Sequence, residues 1–246
     1  MSIASEIQRL QTAKADIKAA IEEKGVAVGD GTIDTYADMI YLIQGGGSVA
    51  NPLEYANDMS DTYYGITFPD GYELTMVLPN VTTFHSAFYG AKGIKKVTIK
   101  GNTAENKVVF NRAFRGSSLE TIDLTAFNAK CSGDMTLAFY YNANLTEILG
   151  ELDFSNVTTG LSGGSGAFTG CGKLVTITPK PNSIKISINF ADSKLLSDVS
   201  IQSIIDGLAD LTGGTAQTLT LHSTVGSKLT DTQKATITAK NWTLVY

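Results

Sequence analysis

The residues able to carry chemistry are few and scattered. His85 and His222 are the two histidines of the 246-residue chain. Neither falls in a His-Glu-x-x-His pair or another metal-ligand spacing, so each reads as a structural side chain. Cys131 and Cys171 are the two cysteines, with no Cys-x-x-Cys pair for zinc or redox work, and they read as free thiols acting as small hydrophobes. Asp58, Asp61, Asp70 and Glu73 lie near Tyr63, Tyr64 and Tyr72 in sequence. In a sugar-cleaving enzyme two such carboxylates would flank the scissile bond, but sequence fixes no separation, and solvated loop charges are the reading adopted. The stretch from Gly166 to Lys173 imitates a phosphate loop with the wrong spacing, and Leu174 stands where Ser or Thr is required. The chain is therefore expected to be a non-enzyme with no metal and no cofactor.

Composition narrows the classes further. Apolar residues make up 43% and charged residues 17%, with 24 glycines. A disordered chain would need fewer apolar residues and more charge. The formal net charge of −5 argues against a nucleic-acid partner, which needs clustered Lys and Arg. Apolar runs are too short for a bilayer span, and no basic segment leads into an apolar one at the N-terminus, so neither membrane insertion nor a secretory signal is expected. Four Asn-x-Thr strings occur, but one encloses Leu145, a candidate core position, so glycosylation is not inferred.

The first element reads as a helix. Ile3, Ile7, Leu10, Lys14, Ile17 and Ile21 follow one another at intervals of 4, 3, 4, 3 and 4 residues. That is the period of a narrow coiled-coil seam, and it predicts self-association, with Lys14 setting register at some cost in stability. A single helix packed on its own domain is the alternative, with a wider stripe than this one. A second helix is expected over residues 34–44, with Tyr36, Met39, Ile40 and Ile43 on one face. The glycines at 45–47 mark a linker. The strings Ile7-Gln8-Arg9-Leu10-Gln11-Thr12-Ala13-Lys14-Ala15-Asp16-Ile17 and Val28-Gly29-Asp30-Gly31-Thr32-Ile33-Asp34 carry a resemblance. Residues 1–44 resemble the N-terminal segment of tail and baseplate proteins of phages and prophages of Gram-positive bacteria. The resemblance implies an attachment and oligomerisation module ahead of a variable C-terminal part.

An internal repeat follows. Ala87-Phe88, Ala113-Phe114, Ala138-Phe139 and Ala167-Phe168 recur at spacings of 26, 25 and 29 residues. Aliphatics keep step behind them, at Ile94, Leu119, Leu145 and Leu174, then Val97, Ile122, Ile148 and Ile177. Each unit reads as a turn and a short strand that buries its apolar face only when a neighbour covers it, so Phe88, Phe114, Phe139 and Phe168 are expected to stack as a core ladder. Gly90, Gly116 and Gly170 follow their Phe by two residues and suit a positive φ, and Tyr141 replaces glycine in the third unit. Ala167-Phe168-Thr169-Gly170-Cys171-Gly172-Lys173-Leu174 resembles the leucine-rich repeats of BspA-like bacterial surface proteins, and residues 78–196 share the pattern. The resemblance implies an adhesion or recognition scaffold and names no ligand.

A strand row between the core positions is the expected binding surface: Lys96, Thr98 and Lys100, then Thr121, Asp123 and Thr125, then Glu147 and Leu149, then Thr176 and Thr178. Tyr140 and Tyr141 are candidates for added stacking. Residues 62–78 read as a hairpin around Pro69-Asp70-Gly71. At the other end, helices at about 197–208 and from Thr230, with strands at 218–221 and through Trp242, read as an α/β cap.

Together these features predict a mainly β solenoid of leucine-rich-repeat type. An α/β C-terminal cap follows it, and an N-terminal α-helical oligomerisation segment precedes it. The expected domains are a helical segment over 1–47, a repeat domain with a hairpin cap over 48–196, and the cap over 197–246. The expected function is a non-enzymatic structural component of a phage or prophage tail or baseplate, a tail fibre or receptor-binding protein in the virion. Its partners would be itself (a trimer being common in such assemblies), other tail proteins, and a host-surface glycan or protein. A bacterial cell-surface or secreted repeat adhesin is the alternative.

Overall fold

The computed structural model describes residues 3–23, 56–102 and 105–246. The chain divides into two compact units, Met1–Asn51 and Pro52–Tyr246. In the first, helix α1 spans Ile3–Glu23. The second helix and glycine linker expected at 34–47 lie outside the described residues.

The second unit is built on a six-stranded sheet of β1 (Thr67–Leu78), β2 (Lys92–Gly101), β3 (Thr121–Phe127), β4 (Ala129–Asp134), β5 (Glu147–Thr159) and β6 (Thr176–Pro179). The order is β1-β2-β3-β5-β4, with β6 also paired to β5, and every pairing is parallel. Strand β5 is long enough to serve three neighbours: its start pairs with β3 and β6, and its end with β4. Alternation along each strand sends Val97, Ile99, Ile122, Leu124, Ile148 and Ile177 into the core.

Between strands the chain turns sharply, and the turns are themselves hydrogen-bonded in register. The Phe88 amide donates to the Ala113 carbonyl (2.7 Å), Phe114 to Ala138 (2.8 Å) and Phe139 to Ala167 (3.0 Å). The same geometry at every turn explains the recurrent small residue, because a bulky side chain beside Phe would hold adjacent turns apart. It also aligns the rings. Phe88–Phe114, Phe114–Phe139 and Phe139–Phe168 stack at 5.4, 5.5 and 5.3 Å between centroids. Tyr63 extends the row at one end and Phe190 at the other, at 4.9 and 4.7 Å. Burying each ring contributes about 1.5–3 kcal/mol.

Towards the C-terminus, β7 (Ile188–Phe190), β8 (Gln217–Leu221) and β9 (Trp242–Val245) form a second parallel sheet. Helices α2 (Asp198–Gly207), α3 (Ser223–Gly226) and α4 (Asp231–Ala239) accompany it. Ser197 caps α2, and Thr230 with Gln233 forms a capping box on α4, each satisfying first-turn amides. Ile201, Ile204 and Ile205 bury the inner face of α2, and the Trp242 indole donates to the Ala209 carbonyl at 2.9 Å.

This architecture corrects the expected fold class. The chain is an α/β fold with a mostly parallel multistranded sheet and few helices, not a mainly β solenoid of leucine-rich-repeat type with a helical oligomerisation segment. The physical reason lies in strand length and lateral pairing. Strands β1 and β5 run 12 and 13 residues, well past the short apolar signature that repeats in the sequence. A broad hydrogen-bonded sheet therefore organises the unit. The expected hairpin at 62–78 is also replaced. Residues 67–78 form one strand that pairs Thr67 with Lys92 and Tyr72 with Ile94, so Pro69-Asp70-Gly71 is accommodated in a bulge.

Candidate functional site

The residue after each stacked ring points away from the core, so in-register turns place these residues in a second, outer row. Tyr64, Tyr89, Arg115 and Tyr140 follow Tyr63, Phe88, Phe114 and Phe139. Tyr64 and Tyr89 stack at 4.7 Å with planes 8° apart. The Arg115 guanidinium then lies between two rings, 4.8 Å from the Tyr89 centroid and 5.4 Å from that of Tyr140. Tyr140 contacts Tyr141 at 4.4 Å. Each cation–π contact contributes about 0.5–1 kcal/mol at an exposed position and fixes the guanidinium plane. Partial burial and the neighbouring Tyr141 push the Tyr140 phenol above its ordinary range.

Tyr89, Gly90, Arg115, Gly116, Tyr140 and Tyr141 line an open depression of about 290 Å³ on this ridge. Gly90 and Gly116 form its floor, and a Cβ on either would meet nothing within 4 Å. Both have positive φ, 67° and 61°, as do Gly65 and Gly170 in the equivalent places of their turns. Tyr141 occupies that place in its own turn and adopts the same conformation, φ 54°. A non-glycine residue there costs about 1–2 kcal/mol. Burial does not offset that cost, since Tyr141 is 61% exposed. Tyr141 is one of nine non-glycine residues with positive φ among the described residues, and it stands exposed at the wall of the depression.

The strand row expected to bind lies elsewhere and is largely self-satisfied. Lys96, Thr121, Glu147 and Thr176 come into one cross-strand line, and Thr98, Asp123 and Leu149 into the next. Lys96 pairs with Asp123 at 3.1 Å, Thr121 donates to Glu147 at 3.3 Å, and Thr125 donates to Asp123 at 2.7 Å. Burial would raise the Asp123 carboxyl, but bonds from Thr125 and Lys96 outweigh it and hold the group below its usual range. Lys100 pairs with Ala126 in register and is exposed; Thr178 pairs with Glu151 and is exposed as well. On α1, Ile7, Leu10 and Ile17 are exposed, Lys14 is half-buried and Ile21 is buried; Ile3 is the first residue of the helix.

The remaining chemical candidates have local roles. Hydrogen bonding from Ser60, by its side chain first and then by its backbone amide at 2.7 Å, holds the Asp58 carboxyl below the usual range. His222 caps α3 by accepting from the Thr224 amide. Cys131 and Cys171 are free and buried, and burial pushes both thiols up, Cys171 to about 12. Among the described residues no group of three or more His, Cys, Asp or Glu gathers to hold a metal, and no helix is long and apolar enough to cross a membrane.

The outer row escaped the sequence pattern because it carries no apolar period, being tyrosine at 64, 89 and 140 and arginine at 115. Each member follows a stacked ring; three precede a glycine and Tyr140 precedes Tyr141. Comparison of the chain with family models, curated proteins and solved structures finds no match in any of the three.

Proposed function

We propose that this chain is a non-enzymatic recognition protein of a phage or prophage tail or baseplate, a tail-fibre or receptor-binding component that grips the host surface. The Tyr64–Tyr89–Arg115–Tyr140 ridge, with Tyr141 strained at its wall, carries the recognition half of this reading. Its groups are hydroxyl donors, ring edges and a guanidinium. They suit binding and include no nucleophile paired to a base. The tail context rests on the resemblance of residues 1–44 to tail and baseplate proteins. Self-association of the chain belongs to that tail context and rests on the same resemblance.

Retention of the labelled full-length chain on intact Gram-positive cells tests the reading. A Tyr89→Ala/Tyr140→Ala double variant that keeps its circular dichroism spectrum is expected to lose retention. Undiminished retention by that variant rejects the ridge as the grip. Release of sugar from wall polysaccharide, abolished by one carboxylate substitution, would identify an enzyme instead.

A further inference from the structure

We propose that the depression over Gly90 and Gly116 binds an acidic saccharide, with the oxyanion of the sugar on Arg115 and a sugar ring against Tyr141. This rests on the recognition reading above and assigns its ligand class.

Of the residues lining the depression, Arg115 alone is charged. Lys95, Lys96, Lys130 and Lys180 each pair with a carboxylate of this chain. Arg115, like Arg112, Lys100 and Lys228, makes no salt bridge and no side-chain hydrogen bond among the described residues; its place in the lining of the depression sets it apart. Tyr89 and Tyr140 occupy the two faces of the guanidinium, which leaves its N–H edge as the part able to bind. A planar fork of donors held in a fixed plane matches a carboxylate or phosphate in bidentate fashion. Outside the lining, the Lys92 ammonium donates to the Gly116 carbonyl at 3.3 Å, and the Asp192 carboxylate acts on the Tyr140 phenol.

The shape selects the carrier of that anion. The depression is shallow, floored by glycine backbone and edged by phenol rings, unlike the deep desolvated pocket that anchors a protein side chain. Tyr141 offers an exposed amphipathic ring, apolar on its face and polar at its tip, which suits the mixed surface of a pyranose. The ridge repeats one position over successive turns, so a ligand that itself repeats can lie along it.

Isothermal titration of the full-length chain tests this. The probes are oligogalacturonate, a hyaluronan hexasaccharide and an oligomeric hexose phosphate, with uncharged galacto- and gluco-oligosaccharides of equal length alongside. At least one acidic probe is expected to bind tenfold or more tightly than the uncharged ones, and to weaken as salt is raised. Whether the carboxylated or the phosphorylated probe leads identifies the oxyanion. Arg115→Lys is expected to weaken binding roughly tenfold by removing the fork while keeping the charge. Tyr141→Gly is expected to weaken it similarly with no fall in Tm, which separates lost contact from lost fold. Equal binding of acidic and uncharged probes, or full affinity in Tyr141→Gly, overturns the proposal. If ridge variants lose cell retention yet no acidic probe is preferred, the ligand class fails and the recognition reading stands. If cell retention ignores the ridge, the recognition reading itself fails.

Discussion

Phe114 and Phe139, 25 residues apart in sequence, face each other at 5.5 Å with planes 6° from parallel. Each also stacks on its other side, Phe114 on Phe88 and Phe139 on Phe168, so the two lie in the middle of the row. A cavity left there has rings above and below that cannot both relax into it. Phe114→Ala is expected to cost about 3–5 kcal/mol, and Phe114→Leu about 1–2, in urea unfolding followed by circular dichroism. Equal, small losses for both would show that the row is not a packed unit.

A second expectation concerns acid. The Asp153 carboxylate is buried and accepts from Lys180 at 2.9 Å and from the Ser155 amide at 2.9 Å. Burial alone would raise its pKa, but these bonds outweigh it and hold the carboxyl below its usual range. A group depressed on folding contributes stability above its unfolded pKa, about 3.9 for Asp, and loses it as pH falls through the folded value. Asp153→Asn is expected to lower Tm at pH 6 and to converge with the parent by about pH 2, the window set by that depressed carboxyl. A constant Tm difference across this range would remove the ion pair as its cause.

How far the sequence reveals this molecule depends on the scale of the pattern. The four Ala-Phe pairs and their aliphatic followers were legible because the core needs the same residue type at the same place in each turn. Tyr63 and Phe190 belong to the same stack but follow Thr62 and Asn189, so the Ala-Phe signature passes over them. The extent of β1 and β5 was not legible, since a strand's length is set by which neighbour completes its hydrogen bonds, and that is a tertiary fact. The ridge was hidden for the opposite reason. Three of its four residues are tyrosines, but Arg115 interrupts them, and they stack on one another at the surface instead of in the core, so no apolar period marks them.

Thiol chemistry provides a third test. Cys131 and Cys171 are buried, and the Cys171 thiol donates to the Phe139 carbonyl at 3.0 Å. Thiolate is the reactive form, and burial in apolar surroundings suppresses it at both positions. The folded chain is expected to show no reaction with a disulfide reagent at pH 8, and two thiols per chain in denaturant. One thiol reacting promptly in the native chain would mean that its segment opens readily.

The ammonium of Lys240 donates to the carbonyls of Ile205, Asp206 and Leu208, at 3.1, 3.2 and 2.7 Å. These acceptors end α2, where carbonyls lack helical partners and the helix dipole favours a cation. Lys240→Met keeps the aliphatic stem and removes the donors. It is expected to cost about 2–3 kcal/mol in urea unfolding, more than Lys228→Met at an exposed position. Equal effects would place the Lys240 contribution in its stem.

Two glycines with similar backbone angles separate conformational strain from crowding. Gly93 has φ 73° and Gly133 φ 64°, so alanine at either must enter the left-handed region. Around Gly133 a Cβ meets nothing within 4 Å, whereas at Gly93 it falls 2.0 Å from the Phe68 carbonyl oxygen. That oxygen belongs to β1 where it pairs with β2, and a backbone atom cannot rotate aside as a side-chain tip can. Gly133→Ala is therefore expected to cost about 1–2 kcal/mol, the strain alone. Gly93→Ala is expected to cost about 3–5 kcal/mol, because β1 must shift away from β2 to admit the methyl. Hydrogen exchange of the β1 amides gives an independent readout: faster exchange at Tyr72 to Met76 in Gly93→Ala only. Similar unfolding energies for the two variants, with β1 protection unchanged, would mean that the strand pair tolerates the methyl and that φ governs both sites.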